Sequence, residues 1–169
     1  MTISDPILDT APDQPNVSAA GRTELLTFQC GGRAYAVDIM NVREIRSWSP
    51  PTPLPHSPAY MLGMVNLRGS VLPVMDLAQR LGAQATEDHP RNVIIVVTVN
   101  DRVHGLLVDA VSDIVHPDLN QLQDVPPSGA TGHVDMADKL FVEGEAMIQI
   151  LSIDRVLPAR ILADEAVLP

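Results

Sequence analysis

Four residue pairs, Gly31-Gly32, Arg68-Gly69, Asn100-Asp101 and Glu143-Gly144, each stand between two short apolar runs, and they constrain this chain more than any other feature. A two-residue connection between strands needs backbone in the positive-φ region. Gly adopts that region without steric cost, and Asn and Asp tolerate it better than most residues. The pairs join ELLTFQC to RAYAVDI, GMVNL to SVLPVMDL, VIIVVTV to RVHGLLV, and KLFV to EAMIQIL. In RAYAVDI, Tyr35, Val37 and Ile39 alternate with Ala34, Ala36 and Asp38, the period of a half-buried strand. VIIVVTV does not alternate, which predicts a strand covered on both faces. The chain reads as mainly β, built from antiparallel hairpins.

Helix is expected in two short pieces. Asp76 to Gly82 has an Asp at its start, Leu77 and Leu81 at i and i+4, and a Gly stop; a second piece begins near Ile153 and ends before Pro158. Residues 1–22 mix Asp, Pro, Ser, Ala and Gly without periodicity and read as a disordered tail, while 159–169 has helical composition. Two internal echoes are visible. YAVDIMNVREI (35–45) is similar to HGLLVDAVSDI (104–114), and VLPVMDL returns loosely as IQILSID, with Asp76 and Asp154 closing the two. Two similar five-stranded units would explain both, and so would coincidence among so few matches. Short strands with Gly turns favour small barrels over a parallel sheet.

Charge excludes several functions. The net charge is −10 and aromatic residues are 3% of the chain, whereas nucleic-acid platforms need clustered Lys and Arg with stacking rings. An anionic membrane surface is disfavoured for the same reason. The longest strongly apolar run, Val93 to Val99, is too short to span a bilayer, and the first 21 residues lack the apolar stretch of a signal peptide. Cys30, the single cysteine, permits neither an internal disulfide nor a thiolate zinc site, so a cytoplasmic location is expected.

Catalytic chemistry is hard to find. Of the five histidines, only His133-Val134-Asp135 resembles a ligand pair, and no metal-binding spacing accompanies it. Cys30 has no nearby His, and no serine-nucleophile context occurs. No catalytic residue, metal or cofactor is therefore expected. SPPTPLPHSP reads either as a polyproline ligand or, preferably, as a stiff crossover between strands, because structured sequence flanks it closely.

The stretch AYAVDIMNVREIRSWSPPTPLPHSPAYMLGMVNLRGSVLPVMDL resembles the CheW family throughout its length. It has a strand ending in Val-x-Glu-Ile, a Thr-Pro-Leu-Pro crossover, a Gly before Val-Asn-Leu-Arg-Gly, and a strand closing on Asp-Leu. VIIVVTVNDRVHGLLVDAVSDIV is similar to the family's later half, so the resemblance covers about residues 24–157. Trp48-Ser49-Pro50-Pro51 departs from the pattern by its extra proline and aromatic surface.

The resemblance implies two five-stranded SH3-like β-barrels sharing a hydrophobic core, within a domain spanning 23–158. Barrel 1 is expected over about 33–90. Barrel 2 is expected over about 91–155 plus the first strand near 24–30. It also implies a non-enzymatic cytoplasmic scaffold, recruited to arrays, that couples methyl-accepting chemoreceptors to the regulatory domain of the histidine kinase CheA; self-association in those arrays is left open by the sequence. A CheW-like adaptor or regulatory domain of a non-chemotactic pathway is the alternative. With nothing resembling a kinase or receiver domain downstream, a stand-alone adaptor is expected. Residue by residue, Ile39, Val42, Glu44 and Ile45 become candidates for a receptor-binding groove, together with Arg68, which in the family is commonly linked to the glutamate matching Glu44. An arginine at a tight hairpin tip can reach a carboxylate on a neighbouring strand; the bland reading is a surface pair worth about 0–1 kcal/mol. Val42 reads equally as a partner contact and as core packing.

Overall fold

The computed structural model describes residues 23–125 and 136–158, and its elements follow the turn chemistry. In chain order they are β1 (Leu25–Cys30), β2 (Arg33–Asp38), β3 (Val42–Ser47), β4 (Met61–Leu67), β5 (Ser70–Asp76), α1 (Leu77–Arg80), β6 (Val93–Val99), β7 (Arg102–Val108), β8 (Ala110–Val115), β9 (Gln123–Asp124), β10 (Ala137–Glu143), β11 (Ala146–Leu151) and α2 (Ile153–Val156). The expectations for the two tails and for His133-Val134-Asp135 lie outside the described residues.

Three hairpins turn on the expected pairs, with positive φ at both central residues, the geometry that matches strand twist. The fourth turns one residue later than expected. Glu143 is still paired, opposite Ala146, and the connection is Gly144-Glu145 with Gly144 at φ +65°. A turn whose first central residue alone has positive φ takes its glycine there.

The strands form two sheets with orders β3-β6-β7-β5-β4 and β8-β1-β2-β11-β10-β9. These are two SH3-like barrels, and their first five strands correspond position by position. Each contains one parallel pair, β5 with β7 and β11 with β2. The first echo therefore has a structural meaning: 35–45 passes from β2 in one sheet to β3 in the other, and 104–114 returns from β7 to β8. The second echo is offset. Asp76 caps α1, but the capping position of α2 is Ser152, and Asp154 lies inside the helix.

The expected partition into barrels is corrected by this topology. Arg33–Asp38 belongs with Leu25–Cys30, because a two-residue turn keeps both strands of a hairpin in one sheet. The β6–β7 hairpin likewise belongs with β3, β4 and β5, and the second sheet has a short sixth strand, β9.

One core lies between the sheets and takes Phe28, Val37, Leu151 and Val156 from one side and Met75, Leu77, Ile95, Val97 and Leu106 from the other. Each barrel also has its own interior, Leu72, Val74, Ile94, Val96 and Leu107 in one, Leu25, Ala36, Phe141 and Ile148 in the other. Ile94 to Val97 are all buried because successive side chains of β6 serve the barrel interior and the shared core in turn. The same is true of β2. The expected half-buried strand is covered on both faces at its centre, with Ala36 inside its barrel and Tyr35 and Val37 in the shared core.

The units are fastened at α2. Arg80 of α1 donates from Nε to the Val156 carbonyl at 2.7 Å and from Nη2 to the Arg155 carbonyl at 3.2 Å, and Arg102 of β7 donates to the Pro158 carbonyl at 2.9 Å. The Arg155 and Val156 carbonyls end a helix too short to satisfy them internally, and Pro158 follows just past its cap.

Candidate partner-binding surface

The segment joining the sheets carries the first candidates. Asp38 caps a 3-10 turn at Ile39–Asn41 by accepting the Met40 N–H at 2.9 Å, and β3 follows. Within β3, Val42 pairs with Val97, Glu44 with Val96 and Ile45 with Ile95. Arg43 is therefore an extra residue, a β-bulge. Directly opposed residues share a face, so Val42 and Ile45 lie on the side of the shared core, while Glu44 lies on the side of the barrel interior. β8 repeats this irregularity, with Val111 opposite Phe28 and Asp113 opposite Thr27, leaving Ser112 extra.

Ile39 and Val42 are half-buried against the shared core, and Ile45 is 46% exposed. The three form an apolar strip along the junction of the sheets. Glu44 and Arg68 form a separate pair: Arg68 Nη1 donates to Glu44 Oε2 at 3.1 Å and Nη2 to Oε1 at 3.3 Å. Arg46 adds a longer contact of 3.7 Å to the same carboxylate. Val42 and Ile45 thus lie on one face of β3, with Ile39 in the turn before it, while Glu44 lies on the other face, clamped by Arg68 from the β4–β5 turn.

Arg68 sits at φ +53°, and the turn is held by Asn66 Oδ1, which accepts the Gly69 N–H at 2.9 Å. The proline-rich segment is a crossover, as preferred. Thr52 exchanges two backbone hydrogen bonds of 2.8 Å with Met64, and Trp48 packs against the barrel interior while donating to Asp88 at 2.7 Å. Gly63 makes this possible, since a Cβ there would lie 2.1 Å from the Thr52 carbonyl oxygen.

A groove of about 610 Å³ opens beside the 3-10 turn, lined from both sheets by Asp38, Asn41, Val99, Leu122, Ile150 and Asp154 among others. Sequence reasoning missed these residues, because the groove's lining converges from six separate stretches of the chain. It also missed Met40 and Val71, exposed by 66% and 64%. The alternation in SVLPV carries the signal for Val71, which stands opposite buried Leu72 and Val74 in the strand's period.

Two groups with chemical capacity are muted by their surroundings. Burial, then Asp109 and Asp76, push the Cys30 thiol up to about 12, so it holds almost no thiolate at neutral pH. Burial, then Arg102, lower His104 to about 4, and its buried Nδ1 has no hydrogen-bond partner. Among the described residues no group of three or more His, Cys, Asp or Glu could hold a metal ion, and no helix is long and apolar enough to cross a membrane.

The profile of the CheW-like domain matches residues 24–160. The chain belongs to the CheW family, the scaffold and adaptor proteins of chemotaxis. It is 47% identical over 140 residues to the chemotaxis protein CheW of Rhizobium meliloti (strain 1021), covering 82% of this chain and 90% of that protein. It is 45% identical over 134 residues to the probable chemotaxis protein CheW of Rhizobium etli, covering 79% and 86%. Among solved structures, the scaffolding protein TtCheW from Thermoanaerobacter tengcongensis superposes with a TM-score of 0.74 at 27% identity, covering 82% of this chain and 94% of that one. The CheW-like match thus includes both barrels, the bulged strand and the Arg68 turn, and the family's two-barrel fold is the fold described above.

Proposed function

We propose that this protein is a non-enzymatic cytoplasmic adaptor that couples methyl-accepting chemoreceptors to the histidine kinase CheA. Membership of the CheW family carries the reading, and the similarity to the scaffolding protein TtCheW agrees with it. The surface chemistry supports it as well. A helical receptor tip needs an apolar contact framed by polar groups, and Ile39, Val42 and Ile45 supply the first while Glu44, Arg68 and the rim of the groove supply the second.

The mechanism is linkage. The regulatory domain of the kinase binds one barrel and the receptor tip binds the groove between barrels, so that a shift in the receptor biases the kinase's active and inactive states. The adaptor itself need not move. The core shared by both barrels suits that task, because a scaffold that deformed would absorb the bias instead of passing it on. Each contact is modest, and avidity across the array, including self-association of the adaptor, stabilises the assembly.

Calorimetric titration with the regulatory domain of a CheA kinase from the same cell tests the reading. Binding at about 10 μM or tighter, about −7 kcal/mol, is expected. No binding to any such kinase in that cell would move the function to another partner and leave the fold unaffected.

A further inference from the structure

Four charged side chains line the groove beside the 3-10 turn: Asp38, Asp138, Lys139 and Asp154. Three of them are matched. Asp138 pairs with Arg155, Lys139 lies 2.5 Å from Asp124, and Asp154 lies 2.6 Å from Arg102. Asp38 is the exception. Its Oδ1 accepts the Met40 N–H, and among the described residues it forms no ion pair. Its charged neighbour is another carboxylate, Glu24, which is engaged with His116 at 3.2 Å. Burial foremost, and Glu24 after the opposing Met40 hydrogen bond, hold the Asp38 carboxyl above its ordinary range. The folded protein therefore keeps a half-buried carboxylate where its charge is disfavoured, immediately before Ile39 of the apolar strip.

A cation arriving from outside would relieve that cost, and Asp38 is placed to receive one while Ile39 and the groove's leucines receive apolar side chains. We propose that Asp38 is the specificity-determining residue of this groove, pairing with a lysine or arginine presented by the helical tip of the receptor. The inference rests on the adaptor reading above and adds the chemistry of the partner: an amphipathic helical segment with a basic residue beside its apolar face. The other rim charges are already satisfied, so reading falls to this one carboxylate.

The experiment is calorimetric titration of the full chain with the cytoplasmic tip hairpin of a methyl-accepting chemoreceptor from the same cell, at low and moderate salt. Three forms are compared: wild type, Asp38→Asn and Asp38→Glu. Asn retains the cap of the 3-10 turn, so unchanged thermal unfolding of D38N verifies the fold. D38N is expected to bind about tenfold more weakly than wild type, the magnitude of one lost charge-assisted hydrogen bond, and with a shallower salt dependence. D38E, which keeps the charge, is expected to retain most of the affinity. Equal binding by D38N and wild type, or equal loss in D38N and D38E, would overturn the assignment and leave the adaptor reading intact. Failure of the wild type to bind the tip at all would overturn the receptor reading and this inference with it.

Discussion

Arg68, in the turn between β4 and β5, forks onto the carboxylate of Glu44 in β3, and so joins the two strands that stand at opposite ends of the five-stranded sheet. No backbone ladder links these edges. Among the described residues the second sheet has no such clamp: the equivalent turn holds Gly144 and Glu145, and Asp113 at the Glu44 position accepts the backbone N–H of Ile114 instead. Arg68 is 74% exposed and stands in a backbone region that disfavours it. A pair this exposed contributes about 0–1 kcal/mol, which the backbone strain offsets. Arg68→Asn is therefore expected to leave the melting temperature within about 3 °C of wild type. Arg68→Glu, which sets two carboxylates face to face, is expected to uncouple receptor from kinase in a reconstituted array with the fold intact. Wild-type receptor control by that variant would sink the functional assignment of Arg68.

Gly63→Ala, in β4 where the crossover packs against it, is expected to be strongly damaging. Its Cβ would stand 2.1 Å from the Thr52 carbonyl oxygen, and only backbone displacement can relieve that contact. The two Thr52–Met64 hydrogen bonds would be lost, destabilising the protein by about 3 kcal/mol or more. Gly32→Ala is the comparison. Its Cβ meets nothing within 4 Å at φ +80°, so strain alone should cost about 1 kcal/mol. Urea unfolding of both variants measures the difference.

Asp76 is 1% exposed, and its carboxylate accepts the Ala78 N–H at 3.2 Å, the Thr86 N–H at 2.7 Å and the Thr86 hydroxyl at 2.6 Å. It thereby caps α1 and anchors the loop leading to β6. Asp76→Ala leaves these donors unpaired and is expected to cost about 3 kcal/mol. Asp76→Asn, which keeps one acceptor, should cost less. Equal unfolding midpoints for Asp76→Ala and wild type would contradict this role.

His104 contributes to the loss of stability in mild acid. Its folded pKa is lowered to about 4 from 6.5. Between those values the unfolded chain binds a proton that the folded protein refuses, so stability is lost as pH falls from 6.5 towards 4. Allowing for its partial exposure, the loss is about 2 kcal/mol. His104→Leu is expected to flatten the pH dependence in this window, as followed by denaturant unfolding at several pH values. An unchanged slope would show that other groups carry it.

The hairpins were legible because their determinants are local. Arg68-Gly69 or Asn100-Asp101 dictates a turn through its own backbone preferences, and the flanking apolar runs do the rest. The exception, Gly144-Glu145, differs by one residue because glycine occupies the first central position there and not the second. Ala36 was misread for another reason. Its size hides that it faces a barrel interior, since a small side chain in a β period looks the same against Phe141 and Ile148 as against water.

The candidate site was legible only in part. The motif around Glu44 and Arg68 named two residues that the fold brings into contact, but a bulge at Arg43 decides which face each strand residue takes, and bulges leave no periodic signature. The groove beside Asp38 gathers Val99, Leu122, Ile150 and Asp154 from segments far apart in the chain.

By itself, then, the sequence determined the hairpin strands, three of their four turns, both short helices and the family. Each depends on neighbours within a few residues, or on an order of motifs that can be read along the chain. Only the tertiary structure decided which hairpins share a barrel, that the two barrels repeat one strand order, and that Asp38 alone among the groove's charges lacks a counter-ion among the described residues. The parallel pairings of β5 with β7 and β11 with β2 join the two antiparallel halves of each barrel across about 30 and about 115 residues. The free energy of such contacts comes from packing between distant segments, and no local preference encodes it.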